Sequence, residues 1–209
     1  MRAVLFLLTA IAVALIGAPA MAVEEPPFRL VSRESGFEIR DYPALVVAEV
    51  TIEGSRAQAA NRGFRPLAGY IFGANRPRAK IAMTAPVLTA PASRDGEKIA
   101  MTAPVLQSPL DADRWVVRFV MPQGYSLANL PAPDDPRVTL VETPARRVAV
   151  MRFTGLWDEA GLARKSAALD AGIRAAGFTA AGPPSFAFYD PPWTPPFLRR
   201  NEIMTPIAP

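Results

Sequence analysis

The chemistry open to this chain is bounded by two missing side chains: the 209-residue sequence contains no histidine and no cysteine. With them go the commonest general base, the commonest metal ligand, the thiolate nucleophile and any disulfide framework. What remains as soft or titratable equipment is methionine, tyrosine, lysine, the carboxylates and the hydroxyls. The methionines are placed conspicuously. Lys80-Ile81-Ala82-Met83-Thr84-Ala85-Pro86-Val87-Leu88 recurs letter for letter from Lys98 to Leu106, around a connection that holds Asp95-Gly96. Met83 and Met101 therefore occupy matched positions, as adaptable core filler or as the lining of a soft apolar ligand site.

Charge adds a second constellation. Between Gly54 and Arg94 there is no Asp or Glu, while Arg56, Arg62, Arg65, Arg76, Arg78, Lys80 and Arg94 are all cationic. Such a run is either a solvated face or a footprint for an anionic partner. Carboxylates or phosphates on a small ligand fit that footprint better than nucleic acid does in an exported protein. Export is expected from the first 22 residues. Arg2 starts a short positive segment, Val4 to Ile16 is apolar, and Ala20-Met21-Ala22 is a small-residue cleavage site. The apolar run is too short to span a bilayer. The expectation is a periplasmic or secreted protein of one domain, residues 23–209, with no stable membrane span once the leader is removed.

The elements that must position these residues follow from periodicity. The repeated nonapeptides alternate large and small side chains and read as a hairpin, with Ile81, Met83, Ile99 and Met101 on one face. Pro86 and Pro104 remove ladder donors and belong at strand ends or edges. Strands are also expected at 28–32, 37–40, 45–52, 115–121, 138–142, 147–153, 185–189 and 201–207. Ser55 suits an N-cap, and Ala57, Ala60, Phe64, Leu67 and Ile71 form one apolar stripe of a helix stopped by Gly73. Pro66 is expected to kink or split that helix. A second helix starts near Asp158, buries Leu162, Ser166, Leu169, Ile173 and Ala176, and stops at Gly177.

Residues 42–54 align without gaps on 143–155, with five of thirteen positions identical, and each copy leads into a helix of about twenty residues. The expected fold is α+β: a distorted antiparallel β-barrel flanked by two helices. It is built from two βαββ halves related by a pseudo-twofold axis, roughly 37–106 and 138–207. A groove between such halves is a natural ligand site.

Several segments then resemble the SOUL/haem-binding protein family: Glu38-Ile39-Arg40-Asp41-Tyr42-Pro43, Tyr70-Ile71-Phe72-Gly73-Ala74-Asn75 and both Lys-Ile-Ala-Met-Thr-Ala-Pro-Val segments. Further on come Phe119-Val120-Met121-Pro122, Phe153-Thr154-Gly155, Tyr189-Asp190-Pro191-Pro192 and Arg199-Arg200-Asn201-Glu202. The resemblance implies the same two-half barrel and non-catalytic, reversible binding of haem or a related tetrapyrrole. It also implies a site between the first helix and the loop before the last strand. Carried over residue by residue, that site comprises Asn61, Arg62, Phe64, Arg65, Ala68, Phe72, Tyr189, Trp193 and Thr194. Aromatic faces would meet the ring, and Arg62 or Arg65 its propionates. Animal members carry methionine near Ala68 and lysine at the position of Thr194, so part of their pocket is replaced. Without histidine, any axial iron ligand would be Met83, Met101, Tyr70, Tyr189 or Lys80, and binding without an axial side chain is the alternative. Trp193 either caps the core or stacks on a ligand. Glu202 either ties the last strand to its neighbours or faces the groove, where its charge would favour a cation. The competing function is a general binder of amphipathic or lipid-like molecules in the same groove. No motif for an enzyme is present.

Overall fold

The structure is a computed structural model, and it describes residues 23–76 and 96–208. Eleven strands and two α-helices follow one another in the described chain. The first stretch holds β1 (Arg29–Glu34), β2 (Phe37–Tyr42), β3 (Leu45–Glu53), α1 (Arg56–Ile71) and β4 (Asn75–Arg76). The second holds β5 (Val105–Pro109), β6 (Arg114–Val120), β7 (Ala132–Pro133), β8 (Thr139–Thr143) and β9 (Arg146–Thr154). It ends with α2 (Glu159–Ala175), β10 (Ser185–Phe188), a 3-10 turn at Pro196–Leu198 and β11 (Arg200–Pro206). Nine strands form one antiparallel sheet in the order β1-β2-β9-β11-β10-β5-β6-β3-β8, and β4 pairs with β7. The sheet is a curled half-barrel with both helices on it, the α+β fold expected.

The order also displays the two halves. Each has a βαββ unit, β3-α1-β5-β6 and β9-α2-β10-β11, and the units join where β5 pairs with β10. The outer strands are exchanged. β2, which precedes β3, pairs with β9, and β8, which precedes β9, pairs with β3. Equivalent turns close both units, Gly54 N–H donating to Asp113 O at 2.8 Å and Gly155 N–H to Pro196 O at 3.0 Å. Both glycines have positive φ, +113° and +98°, which explains why the sequence duplication ends on glycine.

The halves do not have the expected limits: the first unit runs on to Val120 rather than to 106. The doubled hairpin is the cause. Its first copy lies outside the described residues. In the second copy only Val105 and Leu106 are strand, and they begin β5. Pro104 cannot donate to a ladder, and the residues before it are pinned singly. Thr102 Oγ1 donates to Val120 O, and Ala103 N–H donates to Glu24 O. Ile99 and Met101 do not share an environment, since Ile99 is buried against α1 and Met101 is exposed.

Helix α1 also departs from its reading. It runs unbroken through Pro66, with Ser55 and Gln58 forming a capping box at its start. Its buried face is Arg56, Ala59, Gly63, Pro66, Leu67, Tyr70 and Ile71, not the stripe through Ala57, Ala60 and Phe64. Small residues are buried because the helix lies very close to the sheet. A Cβ on Gly63 would stand 2.7 Å from Val117 Cγ2. Helix α2 follows expectation at Leu162, Leu169 and Ile173, capped by Asp158 and stopped at Gly177 with φ +82°. Ser166 is half-buried, and Ala176 is an exposed C-cap.

Alternation along the strands divides the side chains between two faces. Ala48, Val50, Val117 and Phe119 pack under α1, and Ile39, Ala149, Phe186 and Ile203 under α2. The inner, concave face carries a third cluster that includes Tyr42, Val47, Leu106, Val148, Val150 and Met204.

Candidate functional site

The expected site residues fall into two groups, those on and just after α1, which packs on one face of the sheet, and those from Tyr189 onward, of which Tyr189 joins the cluster on the other face. Asn61, Arg62, Phe64, Arg65, Ala68 and Phe72 all lie on the outward face of α1, opposite its buried stripe. Phe64 is 41% exposed and its ring meets Phe119 edge-on at 5.4 Å, while Phe72 is 59% exposed. Half-buried Ala68 lies between them. Arg62 and Arg65 flank this strip with no hydrogen bond or ion pair to any described residue. The arrangement is an apolar shelf edged by two free guanidinium groups.

Tyr189 belongs to the inner face. Its hydroxyl donates to Glu202 Oε2 at 2.7 Å, and the Arg200 guanidinium lies 3.8 Å over its ring. Burial first, then the Glu202 charge, pushes the Tyr189 pKa up, so the phenolate needed for an iron ligand is disfavoured. Trp193 is 82% exposed on a loop fastened elsewhere. Arg199 donates to the carbonyls of Thr194 and Pro192, and Arg200 N–H donates to Asp190 Oδ2 at 2.6 Å. Thr194 thus serves the loop through its carbonyl. Among the described residues no hydrogen bond, ion pair or ring contact joins the α1 group to Tyr189, Trp193 or Thr194.

The metal candidates separate similarly. Met101 is exposed just beyond Ile99, whose N–H donates to Ile71 O at the end of α1. Tyr70 is buried and donates to Pro131 O at 3.0 Å. Met83 and Lys80 lie outside the described residues. Arg56, from the acid-free run, is buried rather than solvated. It pairs with Glu159 at 2.8 Å, donates to Gln107 at 3.1 Å and covers the Trp157 ring at 4.1 Å. Arg56 and Glu159 are the first residues of the two helices, so this contact joins equivalent points of the two halves.

Sequence reasoning left the polar network of the inner face unresolved. Glu202 is fully buried and receives Arg40 Nη1 at 3.2 Å to both oxygens and Arg200 Nη2 at 2.9 Å. Arg40 also pairs with Glu38 at 2.8 Å and donates to Tyr42 Oη at 3.3 Å. Burial pulls the Arg40 pKa down, but Tyr42 and Glu202 more than restore it. Glu202 therefore has its counter-charges already and does not face the groove as a free anion. The signal in the sequence is alternation: Arg40 and Tyr42 share a face of β2, and Arg200 and Glu202 share a face of β11.

The fold is an α+β domain made of two halves that exchange their outer strands. The chain belongs to the SOUL family: the model described as SOUL heme-binding protein matches residues 23–206. No curated protein sequence matches it. Among solved structures it is similar to the EcmrR C-terminal domain, at 12% identity and TM-score 0.56, covering 82% of this chain and 96% of that one. It is also similar to a structure described as a hydrolase from Listeria innocua, at 14% identity and TM-score 0.55, covering 85% and 94%. These likenesses are of fold alone. Family membership carries haem binding in general terms. Among the described residues no helix is long and apolar enough to cross a membrane.

Proposed function

We propose that this protein binds haem or a related tetrapyrrole reversibly on the outward face of α1, and buffers or carries it without catalysing a reaction. The observation that carries this reading is the exposure of Phe64 and Phe72, with half-buried Ala68 between them, on the same helix as exposed Arg62 and Arg65, which are unpaired among the described residues. A flat apolar macrocycle gains by covering such a strip, and two propionates match two guanidinium groups. Bound haem would supply its iron and its visible chromophore; the chain's own part is to cover one ring face and neutralise the carboxylates. Among the candidate axial ligands Met101 is described and exposed, and binding without an axial side chain is the alternative. The leader read in residues 1–22 supports export, so the ligand would be met outside the cytoplasm.

The test is a haemin titration followed through the Soret band. Exposed ion pairs contribute roughly 0.2–1 kcal/mol each. Replacing Arg62 and Arg65 together by Ala should therefore weaken binding by roughly 2- to 30-fold. Phe64→Ala with Phe72→Ala should weaken it as well. Unchanged affinity in both double variants would remove the shelf from the binding site.

A further inference from the structure

The inner face of the sheet holds a guanidinium that the haem reading does not use. Arg146 stands opposite Tyr42 in the β2–β9 register, is half-buried, and lines a small recess with Leu45, Leu106, Tyr189 and Met204. The half-buried or buried arginines near it are all paired: Arg40 with Glu38 and Glu202, Arg118 with Glu49, Arg200 with Glu25 and Glu202. Arg146 has no hydrogen bond or ion pair to any described residue. Burial, then the neighbouring Arg118 charge, lowers its pKa from the usual guanidinium value, yet arginine stays protonated in proteins. A half-buried cation without a counter-charge among the described residues is a ready receptor for an anion.

The same recess is also lined by Glu25, Pro26 and Phe28 of the segment before β1. Glu25 and Pro26 separate it, with room for only about 10 Å³, from an outer recess of about 280 Å³ walled by Pro43, Val46, Val120 and Met121. The closing segment is fastened at its two ends, where Glu24 bridges to Thr102 and the Arg40 guanidinium lies 4.4 Å over the Phe28 ring. Glu24 O accepts from Ala103 N–H at 2.9 Å, and the Glu24 carboxylate accepts from Gln123 N–H at 2.7 Å. Glu25 pairs with Arg200 at 2.9 Å in an exposed position, and Phe28 leans on Tyr42 with ring centroids 5.6 Å apart. Pro26 and Pro27 cannot donate to a ladder, so beyond the single bridge of Glu24 to Thr102 the segment runs as a strap and not as a strand.

We propose that this face is a second binding site, for an amphiphile with a single carboxylate head, whose head pairs with Arg146 and whose apolar tail replaces the Glu24–Phe28 strap. Lifting Glu25 and Pro26 joins the two recesses into one groove with apolar walls and one cation at its end. A lone guanidinium matches a monocarboxylate in charge and fork geometry.

Decanoate is the probe, titrated into the purified protein by calorimetry, with decanol and decyltrimethylammonium as the neutral and cationic arms. Decanoate should bind saturably and the other two at least tenfold more weakly. Arg146→Gln should weaken decanoate by about 10- to 100-fold, as expected for loss of a charge-assisted pair. Arg146→Lys should recover part of that loss. Glu25→Ala with Phe28→Ala loosens the strap and should tighten decanoate binding. The melting temperature of Arg146→Gln should equal or exceed that of the parent, which separates a ligand role from a structural one. Equal binding of decanoate and decanol, unchanged affinity in Arg146→Gln, or displacement of decanoate by haemin would each overturn the proposal.

Discussion

Glu202 offers the most informative perturbation of the fold. Its carboxylate is fully buried on β11, between Arg40 and Arg200, and also accepts from the Tyr189 hydroxyl. Glu202→Ala leaves Arg40, itself 5% exposed, without its innermost partner. Removing one member of a buried ion pair typically costs about 3–5 kcal/mol. Arg40 keeps Glu38 and Tyr42, and Arg200 keeps Glu25, so the lower end applies and about 3 kcal/mol is expected. A domain of this size shifts by about 2–4 °C per kcal/mol, so the melting temperature should fall by about 6–12 °C. Glu202→Gln keeps the shape and part of the hydrogen bonding and should cost about half as much. The double variant Arg40→Met with Glu202→Leu removes both charges together and should lie within about 1 kcal/mol of the parent. Urea unfolding of the parent, Arg40→Met, Glu202→Leu and the double variant closes the cycle and gives the coupling energy directly. If Glu202→Ala costs less than about 1 kcal/mol, or the double variant is as unstable as the single, the network is not what holds β2, β9 and β11 together.

Two further outcomes follow from the same structure. Arg56→Ala should cost about 2–3 kcal/mol by urea denaturation, through lost packing on Trp157 and an orphaned Gln107 oxygen, and Glu159→Ala should cost about 1–3 kcal/mol because it leaves the buried Arg56 guanidinium without its carboxylate; a loss under about 0.5 kcal/mol for Glu159→Ala would mean that solvent replaces this exposed partner. The Arg147 hydrogen bond, with help from Arg29, holds the Asp41 carboxyl down at about 2 against an ordinary 3.8. A depressed carboxylate stabilises the fold above its unfolded pKa and loses that contribution as the pH falls from about 4 through about 2. Asp41→Asn should therefore flatten the stability profile in that window, and an unchanged acid limb in thermal melts would refute the pairing.

Wherever one face of an element is continuously apolar, the sequence announces it. Val-rich β3 and β9, the alternation of β6, and the Leu162–Leu169–Ile173 stripe of α2 lie where periodicity puts them. The reading of α1 failed for a physical reason: its contact face is built from Ala59, Gly63 and Pro66, which are small rather than oily. Hydrophobicity therefore pointed to Phe64, which is left outside. In the second copy of the repeated nonapeptide the expected strand is confined to Val105 and Leu106, because Pro104 interrupts the ladder and Thr102 and Ala103 bond to separate partners. The site was legible as residue types, aromatic and guanidinium, and not as an assembly. Which side of a strand Tyr189 takes depends on the register of β10, which places Ala187 and Tyr189 inside and Phe186 and Phe188 under the helices. Arg146 drew no notice because an unpaired cation is recognised only once its neighbours are known.

The exchange of β2 and β8 across the halves has a consequence for how the molecule can come apart. Each unit reaches over and completes the other's sheet, like two hands with interlaced fingers, so neither retains its full set of strands if the other is cut away. A fragment carrying only the first unit would leave β2 without β9 and β3 without β8, two ribbons of bare peptide N–H and C=O groups prone to stick to other chains. The duplication that is so visible on paper therefore marks no seam along which the folded chain can be divided.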